Sequence, residues 1–187
     1  SFIIGDDADV VIIAGCGIHC GTSEPEGHAG IHEFRVGKRA KVVYVEKHYA
    51  SGEGTGKRTL NPTTKVFLDE GARAEMELTQ IGGVDETSRV NEAELEAGSL
   101  LLITERVMTD GSQSAISTNN IVLRGAGSSA NMISRSVMKG NSRQVLYATI
   151  EARFKNSEAL SRTIEEITRE QDARVWVEKF NAAGIPC

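Results

Sequence analysis

The sequence predicts a mainly β chain, wound as a β-solenoid, with a short C-terminal helical tail. Three observations carry this. Up to about residue 154, short runs alternate apolar and polar residues, the period that sends one set inward and the other to solvent. A repeat runs through those strands, anchored on Ala8, Ala40, Ala72 and Ser99 with spacings of 32, 32 and 27. After residue 155 the apolar period changes from that of a strand to that of a helix.

The strand runs come in order as DVVIIAG, HEFRV, KVVYVEK, KVFLDE, EMELTQI, SLLLITERV, NIVLRG and QVLYATIEARF, punctuated by Gly, Asn, Asp and Ser. No helical segment separates them, which argues against a doubly wound α/β sheet. Each anchor follows an apolar residue four positions earlier: Ile4, Val36, Leu68 and Leu95. Two positions later stand Val10, Val42, Ala74 and Leu101, and four later Ile12, Tyr44, Met76 and Ile103. A small corner residue followed by an inward apolar row suits stacked coils, each burying its row against the next. Chance similarity between the hairpins of a β-sandwich is the alternative.

The tail, residues 155–187, opens with Asn156 or Ser157 as a cap for Leu160, Ile164 and Ile167. Thr168 to Gln171 forms a capping box ahead of Ala173, Trp176, Val177 and Phe180. Gly184 and Pro186 stop the helix. The domain boundary is therefore expected at 154/155.

Composition narrows the function. The net charge of −5 over 187 residues, with acids and bases interspersed, speaks against nucleic acid as a partner. No run approaches the roughly 18 apolar residues of a membrane span. The chain opens on Ser1 without a basic lead and reads as a processed or excised piece. Three cysteines point to free thiols and a cytoplasmic setting. Ser51 to Lys57, SGEGTGK, looks like a phosphate loop but lacks its first Gly and the Ser or Thr after Lys57, so it reads as a flexible surface turn.

The chemistry concentrates between residues 16 and 48. Cys16-Gly-Ile-His19-Cys20 places two thiols four apart, and His28 and His32 are again four apart. Thiolate and imidazole suit zinc, copper(I) or iron–sulfur species. Inert surface histidines beside buried thiols would give the same string. The expectation is that these residues converge at one loop region instead of filling the core.

The strings IIAGCGIHC, GIHEFRVGKRAKVVYVEKH, LNPTTKVFLDEGARAEMELTQIGGVD and SANMISRSVMKGNSRQVLY resemble the SufB/SufD family of iron–sulfur cluster assembly proteins across residues 3–154. The resemblance implies a right-handed parallel β-helix, and a scaffold rather than an enzyme. It implies a partner SufC-like ABC ATPase, and pairing as a homodimer or with a SufB/SufD paralogue. It implies a transient iron–sulfur cluster or persulfide as cargo. Gly15-Cys16 matches the family's Gly-Cys motif, so Cys16 is the expected sulfur acceptor, with Cys20 the neighbouring candidate acceptor. His19, His28, His32, Glu46 and His48 are the candidate metal ligands. The tail departs from the family, whose later cysteine and ATPase-docking helices have no counterpart string here. The second reading is therefore an interaction solenoid that has lost its cluster-building residues.

Overall fold

The structure, a computed structural model, describes residues 1–152. The expected helical tail and the 154/155 boundary lie outside the described residues. The described chain is built of strands: β1 (Phe2–Ile4), β2 (Asp9–His19), β3 (Glu26–Val36), β4 (Lys41–Ser51), β5 (Arg58–Leu68), β6 (Arg73–Gln80), β7 (Glu86–Leu95), β8 (Leu100–Thr109), β9 (Ser114–Leu123), β10 (Ser129–Met138) and β11 (Arg143–Ala152). Odd-numbered strands form one parallel sheet in the order β1-β3-β5-β7-β9-β11. Even-numbered strands form the other, β10-β8-β6-β4-β2. The chain passes from sheet to sheet and back about five times, a parallel β-solenoid.

The predicted repeat is the register itself. Ile4, Val36, Leu68 and Leu95 are successive ladder partners. So are Val10, Val42, Ala74 and Leu101, and likewise Ile12, Tyr44, Met76 and Ile103. The anchors sit at one corner, and the residue before each has positive φ: Asp7 (60°), Arg39 (58°), Gly71 (70°) and Gly98 (66°). A fifth member, Gly127 (71°) before Ser128, extends the column. Left-handed backbone disfavours most side chains. At the two non-glycine positions Arg39 and Asp7 hold each other by two hydrogen bonds of 2.7 Å. The anchors are small because the corner is filled: Ala40 and Ala72 are fully buried.

The opposite corner carries the longer loops. Loop 52–57 lies flat on loop 20–25, with Gly54 N–H donating to Cys20 O and Gly56 N–H to Thr22 O. A Cβ added at Gly52, Gly54 or Gly56 would collide with the backbone of Cys20, Thr22 or Glu24 respectively. The SGEGTGK string is a surface turn that packs its glycines onto the loop of the coil below. Its glycines permit backbone to touch backbone.

The interior falls into three bands along the strands. Beside the anchor corner lies the main apolar band, which includes Phe34, Val36, Val42, Tyr44, Leu68 and Met76. Phe34 stacks on Phe2 and packs against Tyr44, both with ring centroids 4.7 Å apart. At the loop corner a smaller cluster joins Ile18, Leu60 and Val84. Between them the inward positions turn polar: Glu46, His48, Gln80, Arg89, Asn91, Glu105, Ser117 and Asn119 are all buried.

Candidate functional site

The polar band is where the chemistry-bearing residues meet. Cys16 on β2 and His48 on β4 are ladder partners, so the backbone register sets their side chains one strand spacing apart. His28 faces them from β3, its ring centroid 5.5 Å from that of His48. The ligand atoms of Cys16, His28 and His48 lie within 4.8 Å of one another. Each of the two histidines also has a nitrogen, Nε2, that is buried without a hydrogen-bond partner. Buried polar atoms are normally paired, so two such nitrogens on neighbouring histidine rings are suited to coordinate an ion.

Glu46 organises the next layer. Its Oε1 accepts from the Tyr44 hydroxyl at 2.8 Å and lies 2.9 Å from His32 Nδ1. Its Oε2 accepts from Arg89 Nη1 at 2.9 Å and lies 3.4 Å from His48 Nδ1. Arg89 Nη2 also stands 3.3 Å from His48 Nδ1. Arg89 continues towards Glu105, Nε to Oε1 at 3.9 Å, and Ser117 donates to the other oxygen of Glu105 at 3.0 Å. Beyond Arg89 the band opens into a cavity of about 140 Å³ lined in part by Gln80, Thr87, Glu105, Ser117 and Gln144.

These contacts set the ionisation states. Burial pushes the Glu46 carboxyl up, but His32, Arg89 and His48 outweigh it and bring it down to about 2. Burial lowers His48 to about 4, leaving a neutral imidazole near pH 7. Burial, with the Glu46 charge, raises the Cys16 thiol. Burial likewise raises Glu105, against the pull of Arg89 and Ser117. Tyr44 is raised by burial and by Glu46, so it stays a hydroxyl donor.

The structure divides the expected set. Cys16, His28 and His48 come together, with His32 and Glu46 in the adjoining layer. They do so on inward faces of β2, β3 and β4, not at a loop, because their alternation matches that of the core rows. His19 is exposed at the end of β2, with Nδ1 3.4 Å from Ser51 Oγ. Cys20 is fully buried, its sulfur ringed by the carbonyls of Thr22 and Gly56 at 3.4 Å and Glu24 at 3.9 Å. Arg89 is the residue that sequence reasoning missed. Stepping back by twos from Leu95, already placed in the repeat, gives Ala93, Asn91, Arg89 and Thr87 on the inward face.

Residues 2–167 match the family described as SUF system FeS cluster assembly, SufBD core domain. The chain belongs to this family. The match runs past residue 154, where the sequence strings end, into the tail. No curated protein and no solved structure matches the chain. Membership places the chain in SUF-system iron–sulfur cluster assembly. Among the described residues no helix is long and apolar enough to cross a membrane.

Proposed function

We propose that this chain is a scaffold of SUF-type assembly that accepts sulfur on Cys16 and holds it beside histidine ligands for iron. The observation that carries this reading is the meeting of the Cys16 thiol with two unpartnered imidazole nitrogens inside a SufBD-core solenoid. The sulfur step is an exchange. The Cys16 thiolate attacks the terminal sulfur of a donor persulfide and forms a new S–S bond. The donor's S–S bond breaks, and the donor leaves as a thiolate that takes up the proton given up by Cys16. The transferred sulfur keeps its oxidation level. The neutral His48 imidazole, with a ring nitrogen within 4.8 Å of the Cys16 sulfur, relays that proton in this reading.

The cargo is then a persulfide or a nascent iron–sulfur cluster, held transiently. Partners in this reading are a SufC-like ABC ATPase and a second β-helix, either another copy or a SufB/SufD paralogue, in the cytoplasm. The chain acts as a scaffold and not as an enzyme. Anaerobic reconstitution with ferrous iron and sulfide tests the reading. Wild type and Cys20→Ser are expected to gain iron–sulfur absorption, and Cys16→Ser to gain much less. Uptake by none of them, or equal uptake by all three, overturns it.

A further inference from the structure

Cys16, His28 and His48 have a property that sulfur carriage does not require. Persulfide transfer needs one thiol, yet here the two histidines grouped with that thiol each bury an Nε2 with nothing to bond to. Resting on the reading that this face of the solenoid handles iron and sulfur, we propose that Cys16 Sγ, His28 Nε2 and His48 Nε2 form a three-ligand site for one borderline divalent cation, ferrous iron or zinc, bound without sulfide.

The donor set selects the class of ion. One thiolate and two imidazoles suit zinc and ferrous iron, while magnesium and calcium want oxygen ligands. The three residues come from three strands, β2, β3 and β4, and each offers a ligand atom within 4.8 Å of the others. A tetrahedral centre with metal–sulfur bonds near 2.3 Å and metal–nitrogen bonds near 2.0 Å would hold its donors roughly 3.5 Å apart. Modest side-chain rotation closes that gap. Among the described residues no fourth Cys, His, Asp or Glu joins the group, so one coordination position is free for an incoming sulfur or a partner's ligand.

Glu46 is the positioning residue. The two neighbours of His48 Nδ1 demand opposite tautomers. Arg89 Nη2, at 3.3 Å, can only donate and needs a lone pair there. Glu46 Oε2, at 3.4 Å, can only accept and needs an N–H. An ion on Nε2 decides between them. It takes the Nε2 lone pair and leaves the proton on Nδ1, donated to Glu46, the carboxylate–histidine–metal arrangement.

Titration of the full chain with cobalt(II), anaerobically and with no sulfide present, tests this. One ion per chain is expected, with a sulfur-to-cobalt charge-transfer band that zinc abolishes by displacement. Cys16→Ser should lose the band while far-UV circular dichroism stays that of wild type. Glu46→Gln should keep the band and bind about 10–100-fold more weakly, and His28→Ala should bind more weakly still. Failure of wild type to bind one ion, or wild-type affinity in both Cys16→Ser and His28→Ala, overturns the site. The two readings fail separately. Cobalt binding without sulfur transfer from a persulfide donor would sink the proposed function alone. Sulfur transfer without cobalt binding would sink the metal site alone.

Discussion

Two bands of the solenoid interior share one backbone and one ladder register, and differ in what their rows carry. In the band by the anchor corner the rows read Ile4, Val36, Leu68, Leu95 and Val42, Ala74, Leu101. Beyond the Tyr44 row, further along the strands, the rows read Glu46, Leu78, Glu105 and Cys16, His48, Gln80. The first band is held by burial and forgives the exact shape of its residues. The second is held by complementarity of charge and forgives little. A solenoid can carry such a polar band because the apolar bands on either side hold the coils in register.

Breaking the polar band should cost at least as much as breaking the apolar one. Among the described residues Arg89 is the one buried Lys or Arg, and it lies between Glu46 and Glu105. Arg89→Met leaves those carboxylates uncompensated, and a loss of about 3–5 kcal/mol in denaturant unfolding at neutral pH is expected. The loss should shrink in acid, where the carboxylates are neutral. Next comes Leu68→Ala in the apolar band, expected to cost about 2–5 kcal/mol by the same measurement. That loss should stay the same across pH. Equal pH dependence of the two variants would erase the distinction between the bands.

The pH profile of wild type follows from the polar band. His48 is lowered from 6.5 to about 4 on folding, so its contribution is present above 6.5 and lost as pH falls through about 4. Glu46 is lowered from 4.5 to about 2, so its contribution is lost further down, as pH falls towards about 2. Stability should therefore fall in two steps on acidification. Glu105 has the opposite sign: its folded value is raised above 4.5, so ionisation works against the fold as pH rises. Glu105→Gln should raise the melting temperature at neutral pH and match wild type in acid.

The smallest effect belongs to His19, an expected site residue that the structure sets apart. His19→Ala is expected to change stability by less than about 0.5 kcal/mol, since its side chain is exposed. It should leave sulfur and iron uptake unchanged. Loss of uptake in His19→Ala would extend the site outward along β2.

The same contrast explains what could be read from residues alone. The apolar rows announced the solenoid, because Ile4, Val36, Leu68 and Leu95 repeat at a spacing that shifts only where a corner loop shortens. The site was legible in part. Cys16, His28 and His48 drew notice by residue type, but their burial did not show. A histidine at an inward position looks, in one dimension, like a histidine at a loop. Strand β7 passed unnoticed because its inward row reads Thr87, Arg89, Asn91, where hydrophobic alternation has no signal. The pairing of Arg89 with Glu46 joins residues 43 apart in sequence, and no local pattern reveals it.

The central claim is that Cys16, and not the buried Cys20, takes up sulfur. Intact-mass measurement of the chain after anaerobic incubation with a persulfide donor tests it most directly. Wild type and Cys20→Ser should each gain the mass of one sulfur atom, removable by a thiol reductant, and Cys16→Ser should gain none. A gain retained by Cys16→Ser, or no gain in wild type, would contradict it.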